Sequence, residues 1–280
     1  MGTSASSKGP GAGVAFDPPW LDDNGAFEPS VPLPKPVGSP KEPDPEVAPV
    51  AQPALAPAAR FQQARTCLGK YASEKSGREG FQKAAGHYSR TGMGGAARLA
   101  QRMRHSTSAG AKLAQFLTST GSLQDAVVRA WVKDIVDRKL TGQDLIDAIV
   151  QQVAPSAGSR EEESCADSMA RALSEFLERN PDAEILSLEV AGIREITERF
   201  LANEACHRLT NDIGQILESG KVSLKESLTL LNEMREYLRA DLSVQIGNLW
   251  KTTENPSQSE LDRILRAAVQ RTFEVYEGEV

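Results

Sequence analysis

The sequence has few aromatic residues, cysteines and histidines. Of its 280 residues 5% are aromatic, and there are three cysteines and three histidines. The cysteines, Cys67, Cys165 and Cys206, form no C-x-x-C pair and no Cys/His metal spacing, so neither a disulfide framework nor a zinc site is expected. Because 40% of the residues are still hydrophobic, a folded core is expected. The low aromatic content favours a core built from helices over a β-sandwich.

Long apolar runs are also missing. No stretch approaches the roughly 18 residues that a membrane-spanning helix needs, and the N-terminus lacks the apolar core of a secretory signal. No segment alternates polar and apolar residues as a half-buried strand would. We therefore expect a protein of the cytoplasm with reduced thiols, without membrane contact and without β-structure.

Proline is concentrated at one end of the chain. Thirteen of the sixteen prolines lie in the first sixty residues, where they remove backbone donors and disfavour helix in the residues before them. The apolar residues between them are mostly Ala and Val, which are too small to repay the entropy of ordering. Residues 1–59 are therefore predicted to be a disordered Pro/Gly/Ala-rich tail.

Two features of this tail indicate a working segment. The first is its tip, where small residues leave the backbone accessible to a processing enzyme and where removal of Met1 would expose the amine of Gly2. The second is an aromatic cluster, Phe16-Asp17-Pro18-Pro19-Trp20. Because an aromatic side chain in a disordered tail is costly to leave in water, Trp20 with Pro18 and Pro19 is a candidate partner-binding motif, although Trp20 resting on the protein's own body is the alternative.

Charge divides the chain into three territories. Residues 1–59 carry a net charge of −4, residues 60–112 carry +9 from eleven basic against two acidic residues, and residues 113–280 carry −11. We predict a basic helical module over 60–120 and an acidic helical domain over 121–280. The basic stretch either meets an external anion such as nucleic acid, or packs against the chain's own acidic half. The sequence leaves both open.

Helical periodicity runs through the body. Apolar residues recur near every 3.6 positions, which predicts an all-α, bundle-like fold. The second half of the chain also shows helix-start patterns. Thr141-Gly142-Gln143-Asp144 is predicted to start one helix, Pro181 another, and Asn255–Glu260 a last one. Predicted helices cover residues 60–72, 78–88, 96–103, 108–117, 160–179, 183–218, 223–250 and 261–273, with a further start at Ser122-Leu123-Gln124-Asp125.

Arginines and glycines cluster in the basic module. Gly92, Gly94 and Gly95 precede a helix, and backbone N–H groups at such a position can bind an anion. The candidate anion-binding set is Arg90, Gly92, Gly94, Gly95, Arg98 and Arg102. The segment lacks a preceding strand and a GK[ST] signature, so a helix–loop–helix corner that needs positive φ is the alternative interpretation.

No catalytic constellation emerges from the residue types and spacings. His87 next to Tyr88 has no nucleophile or orienting carboxylate nearby, which favours a structural histidine. Glu204-x-x-His207 resembles half of a helical di-iron motif, but the second copy that such a site needs is missing. We therefore predict neither catalytic nor metal-binding residues and no cofactor.

Several motifs together resemble the QatB family, a component of a bacterial anti-phage defence operon. They are the opening Met1-Gly2-Thr3-Ser4, the Pro18-Pro19-Trp20 motif, the block Arg65-x-x-Leu68-Gly69-Lys70-Tyr71-Ala72, and Gly86-His87-Tyr88-Ser89-Arg90-Thr91-Gly92-x-Gly94-Gly95. The resemblance ends near residue 117. Ala15-Phe16-Asp17 stands where the family's tail has an apolar, proline-containing stretch.

The resemblance implies a setting. Members of this family occur beside an ATPase, a QueC-like enzyme and a TatD-like nuclease. QueC enzymes activate a 7-deazaguanine carboxylic acid with ATP, and a relative could pass that acyl group to an amine. The tail would then be a substrate for processing or 7-deazaguanine-type modification, with Gly2 as acceptor, or Gly9, Gly11 or Gly13 if the tail is first trimmed. The helical body would dock the QueC-like partner.

Two functions from different classes follow. One is a non-catalytic defence component with a modified tail, which acts with the QueC-like enzyme and with the ATPase and TatD-like nuclease as further candidate partners. The other is a nucleic-acid-binding adaptor that uses residues 60–112, whose affinity would fall steeply with salt.

Overall fold

The described residues of the computed structural model are 55–155, 158–218, 222–251 and 256–280. They are 82% helical and contain no strand, which confirms the all-α prediction. None of the helices among them is apolar over a length that could span a bilayer. The contacts divide the chain into Met1–Arg60 and Phe61–Val280. The first unit is described only from residue 55 onwards, so the predictions for the tail lie outside the described residues.

Eleven α-helices, a π-helical turn and a 3-10 turn make up the described part of the second unit. The π-helical turn is Tyr88–Met93 and the 3-10 turn is Ile185–Ser187. The α-helices are α1 (Gln62–Glu74), α2 (Gly77–His87), α3 (Ala96–Arg102), α4 (Arg104–Ser122), α5 (Ala126–Asp137), α6 (Gln143–Val153), α7 (Arg160–Arg179), α8 (Val190–Ile213), α9 (Gln215–Glu218), α10 (Leu224–Trp250) and α11 (Gln258–Gly278).

Serine capping boxes start three of the long helices. Ser159, Ser223 and Ser257 each accept a hydrogen bond from the backbone N–H three residues on, and a glutamate at that position binds back. Asp125 starts α5, since its carboxylate accepts from the N–H groups of Val127 and Val128. These caps satisfy backbone donors that the first helical turn leaves free, which explains why the starts were readable from the sequence.

One helix start was predicted at the right place but without its predicted cap, and two other predicted starts or spans are wrong. Gly142, whose φ is 57°, occupies the N-cap position of α6, and no side chain caps this helix. The cap expected from Thr141 is therefore absent. Pro181 lies in a turn that leads to the 3-10 segment, not at a helix start. The predicted helix over 183–218 is three elements, because Leu188 and Glu189 are extended and Gly214 separates α8 from α9.

Helix α8 lies at the centre of the second unit. It packs against α4, α7 and α10, while α11 packs against α2, α3, α4 and α10. Apolar residues on several sides of α8 are buried, among them Ile196, Phe200, Leu201 and Leu209. One core runs from Phe61 in the basic segment to Tyr276 near the end of the chain. The charge boundary at residues 112–113 and the predicted module boundary at 120 both fall inside α4, and helices on both sides share this core.

Glycine permits a close approach between α2 and α11. A Cβ added at Gly86 would lie 2.2 Å from the main-chain oxygen of Tyr276, a contact that side-chain adjustment cannot relieve. By contrast, a Cβ at Gly69 in α1 would meet only Ile216 Cγ1 at 3.7 Å, an ordinary contact. The close packing of α2 against α11 therefore requires glycine at Gly86, whereas the position of Gly69 has room for a side chain.

We predict that Gly86→Ala lowers the free energy of unfolding by roughly 1–3 kcal/mol, because the backbones of α2 and α11 must separate. Gly69→Ala is the matched control and should raise it by about 0.5–1 kcal/mol, since alanine favours helix and the site has room. Urea unfolding followed by circular dichroism measures both. Equal destabilisation by the two changes would contradict the close-approach explanation.

Candidate functional site

The tail residues predicted to carry function cannot be placed. Gly2, Gly9, Gly11 and Gly13 as acceptors, and Pro18, Pro19 and Trp20 as a partner motif, all lie outside the described residues. The candidate sites that the structure does place are in the second unit. They are the predicted anion-binding corner, the polar residues of α8 and an apolar groove beside α5.

At the predicted anion-binding corner, two backbone donors and one N–H group of Arg90 are already engaged. The N–H groups of Gly94 and Gly95, which have φ of 80° and 111°, both donate to the carbonyl oxygen of Ser89. Arg90 Nη1 donates to the main-chain oxygen of Val280 at 2.5 Å. The two glycines therefore close the π-helical turn, and a phosphate would have to displace these contacts.

The remaining members of that set lie in two places. Gly92 is buried, and a Cβ there would meet the Phe61 ring at 2.6 Å, so its glycine serves packing. Arg98 and Arg102 follow on α3, where Arg102 Nη1 also lies 3.0 Å from Met93 Sδ. The structure thus puts Arg90 and the three glycines on one turn, with the two other arginines on the next helix. Anion binding by this set stays a prediction.

Tyrosines and arginines join the basic segment to acidic helices. Tyr88 Oη donates to Asp212 at 2.8 Å, and Tyr71 Oη donates to Glu233 at 3.1 Å. Burial raises the pKa of both phenols, and the neighbouring carboxylate raises it further, so both remain neutral donors. Arg78 pairs with Asp241. These contacts favour the second explanation of the charge asymmetry, in which the basic segment packs against the chain's own acidic half.

A buried carboxylate joins three helices. Glu204 on α8 is 6% exposed and accepts hydrogen bonds from Ser106 of α4 at 2.7 Å and from Ser164 and Ser168 of α7 at 2.9 and 2.7 Å. The thiol of Cys165 lies 3.5 Å from the same group. Hydroxyl donors compensate a buried charge, which accounts for a glutamate inside a packed core.

A buried arginine joins α8 to its other neighbours. Arg199 is 1% exposed and donates to Glu195 at 2.9 Å and to Glu175 of α7 at 3.4 Å, with Glu236 of α10 at 3.6 Å. Sequence reasoning did not single out Arg199 or the serines around Glu204. The sequence signal that could have indicated a buried polar network is that charged residues occur on all faces of the α8 segment.

The Glu204-x-x-His207 pattern divides between two environments. Glu204 is buried and bonded to serines, whereas His207 is exposed. Within the described ranges, no group of three or more His, Cys, Asp or Glu side chains has the arrangement of a metal site. His87 ends α2, and its pKa is lowered by burial and then by Arg90.

The comparisons with known proteins give one match. The family model described as Qat anti-phage system associated protein QatB matches residues 94–276. The chain belongs to the QatB family. It is therefore a component of the Qat anti-phage system, with partner proteins from the same system. No curated protein and no solved structure matches the chain.

The QatB family match and the motif resemblance cover different parts of the chain. The motifs lie in the tail and in the basic segment, whereas the family model begins at Gly94 and continues to Tyr276. Of the quoted motif residues only Gly94 and Gly95 fall inside the match. The helices α3 to α11, where no motif was evident, therefore carry the family signal.

Helix α5 of this QatB-family protein has an apolar surface with little cover. Ile135 is its one buried residue, while Val127 and Val136 are 70% and 61% exposed. Trp131 makes an edge-to-face contact with Phe116 of α4, with ring centroids 5.0 Å apart. An apolar helix that buries so little of itself is typical of an interaction surface.

A groove of about 960 Å³ adjoins this helix. Its lining includes Val132 and Val136 of α5, Leu145 and Ile146 of α6, Leu177 of α7, and Leu186 of the 3-10 turn. The charged residues of its described lining are Glu178 and Glu184, both acidic. The groove therefore suits an apolar segment that carries basic residues at its margin.

Two of the three cysteines are predicted to resist modification. Burial raises the pKa of the Cys165 thiol, with Glu204 adding to the rise, and burial raises that of Cys206 to about 11. Since the thiolate is the reactive form, iodoacetamide at pH 8 should label only the half-buried Cys67 in the native protein, and all three after unfolding. Peptide mass spectrometry reads the labelling. Early labelling of Cys165 would contradict the buried Glu204 cluster.

Glu198 gives a prediction on pH dependence. It is 4% exposed, and burial raises its pKa, although Ser243 and Arg194 oppose the rise. The folded state then holds this proton more tightly than the unfolded state, so ionisation costs stability as the pH rises through the raised pKa. The Tm of Glu198→Gln relative to that of the wild type should therefore rise by roughly 2–4 °C between pH 4 and pH 7.

Thermal unfolding at each pH tests this, with the exposed Glu178→Gln as control. If the advantage of Glu198→Gln over the wild type is the same at every pH, ionisation of Glu198 does not limit stability.

Proposed function

We propose that the chain is a non-catalytic component of the Qat system whose N-terminal tail is processed or modified by a QueC-like partner enzyme and whose helical body docks that partner. The observation that carries the docking part is the apolar groove beside α5, with Val136 and Leu186 in its lining and Glu178 and Glu184 as its charged residues. The description of the family as an associated protein of the defence system supports a non-catalytic role.

The chemistry of modification places one demand on this chain. The partner would activate a 7-deazaguanine carboxylic acid with ATP, which releases pyrophosphate and leaves an acyl adenylate. The amine of Gly2 would attack the acyl carbon, form an amide and release AMP, and the proton lost by the amine would pass to solvent. The chain must therefore supply an unhindered, deprotonated amine at the partner's active site, which glycine at the start of a small-residue segment does.

Docking raises the rate of such a step. When the body holds the partner, a tethered tail of about sixty residues reaches the active site at high effective concentration, so the tail itself needs little affinity. Burying the exposed valines of α5 supplies apolar contact area, and the acidic groove residues set the orientation of a partner segment with basic residues. Docking and tail modification are thus separable steps with separate variants.

Co-expression with the QueC-like enzyme of the same system should add mass to the N-terminal peptide. Intact-mass and peptide mass spectrometry measure the addition and its position. Gly2→Pro should abolish a modification at that amine, because the secondary amine is hindered, whereas Gly25→Ala, outside the candidate acceptors, is the control within the tail. Retention of the modification with Gly2→Pro would move the acceptor to a trimmed terminus. An unmodified N-terminus with the active partner would refute the tail proposal.

Val136→Asp should weaken association with the QueC-like enzyme at least about tenfold, since it places a charge where apolar contact is proposed. Val275→Asp is the matched control, because Val275 of α11 is 53% exposed and lies outside the groove lining. Co-purification followed by calorimetric titration measures the difference. Equal affinity of the two variants would place the docking surface elsewhere.

A further inference from the structure

A polar trough lies on the side of α8 between α7 and α10. Its floor contains Asn203 and His207 of α8, its walls are α7 and α10, and its volume is about 750 Å³. Arg199 precedes Asn203 by one helical turn, so Arg199, Asn203 and His207 form one stripe along α8. This volume lies within the range of small-molecule sites.

The charges at the Arg199 end of the trough are mostly paired with one another. Glu175 of α7 and Glu236 of α10, which both line the trough, are paired with Arg199. Arg179 also lies 3.2 Å from Glu236. Glu178 is a further acidic residue of the lining, so this end offers no excess of positive charge to a ligand.

The His207 end is different. Arg171 of α7 and Arg235 of α10 line the trough from its two walls, and their positive charges oppose the rise in pKa that burial gives the Cys206 thiol, next to His207. Both therefore belong to the end of the trough where His207 lies. Arg235 uses Nη1 to bind Asn232 Oδ1 at 2.8 Å, which orients the group and leaves its other N–H donors. Asp167 is the acidic residue of this end. Two arginines against one aspartate favour an anion at this end.

Asn203 supplies an unused acceptor between the two ends. It is 4% exposed, and its Nδ2 donates to the carbonyl oxygen of Ser168 at 3.5 Å. Its Oδ1 is buried and has no hydrogen-bond partner among the described residues. A buried acceptor that is left unsatisfied carries a free-energy cost. A ligand that donates a hydrogen bond here would recover that cost.

We propose that this trough binds a small phosphate monoester of about mononucleotide size. The phosphate would lie between Arg171 and Arg235 near His207, and a hydrogen-bond donor elsewhere on the molecule would reach Asn203 Oδ1. Phosphate is favoured over carboxylate, because two guanidinium forks and an imidazole offer more donors than two carboxylate oxygens accept. The trough shares Ser174 and Glu178 with the apolar groove, but Arg171, Arg235 and Asn203 are not part of the groove lining, so this inference stands apart from the docking proposal.

Calorimetric titration of the full chain with AMP at low salt tests the site. Binding should be measurable for AMP and weaker for inorganic phosphate, while adenosine, which lacks the charge, should not bind. Arg171→Ala and Arg235→Ala should each weaken AMP binding at least about tenfold. Arg129→Ala is the matched control, since Arg129 is an exposed helical arginine of α5 outside the trough lining.

Asn203→Ala separates the two contacts, because it should weaken AMP but leave the affinity for inorganic phosphate unchanged. Circular dichroism of each variant establishes that the fold is retained. Absence of AMP binding to the wild type at millimolar concentration would overturn the proposal. Equal weakening by Arg129→Ala would also overturn it, because it would identify binding as a general charge effect.

Discussion

Burial of α8 on several sides at once is the constraint on which the rest of the structure depends. A helix packed against α4, α7 and α10 has most of its middle buried, and this part of α8 contains Glu198, Arg199 and Glu204, each at most 6% exposed. A buried charge is tolerated only when neighbouring groups compensate it. The serines that bind Glu204 and the carboxylates that bind Arg199 therefore fix how α4, α7 and α10 are placed around α8.

The same reasoning explains the uneven distribution of charge along the sequence. The basic segment and the acidic helices are separate in the chain but adjacent in the fold, where Tyr88 meets Asp212 and Arg78 meets Asp241. A phenol hydroxyl held neutral by burial satisfies a carboxylate without bringing in a second charge. The net charge of +9 is thus partly used within the molecule, and it overstates what the basic segment offers to an external anion.

Local features of the fold could be predicted from the sequence, and features that depend on distant contacts could not. The start of α7 at Ser159 is encoded within four residues, as is that of α5 at Asp125, so both were predictable. The apolar spacing is the same on both sides of the break at Leu188–Glu189, so the sequence pattern predicted one uninterrupted helix there. The central position of α8 depends on three other helices, and no local pattern distinguishes it from an ordinary amphipathic helix.

Candidate sites show the same division. Arg90 and the nearby glycines attracted attention because they are close in sequence, but folding directs the amide groups of Gly94 and Gly95 to Ser89. The trough residues Arg171, Asn203 and Arg235 come from three helices and share no motif. A site whose residues are brought together by helix packing can be recognised only in the structure. This also explains why the family match over residues 94–276 carries a signal where no short motif was evident.

Helix α7 separates the trough from the apolar groove, and two of its residues, Ser174 and Glu178, line both. Between the two surfaces there is thus a single helix, held on α8 by the contacts of Glu204 and Arg199. A partner that displaces α7 or reorients Glu178 changes the trough, and a ligand in the trough then changes the affinity for the partner by the same factor. Rigid packing of α7 on α8 would instead keep the two surfaces independent. Coupling between them therefore depends on whether the polar contacts of α8 permit α7 a second position.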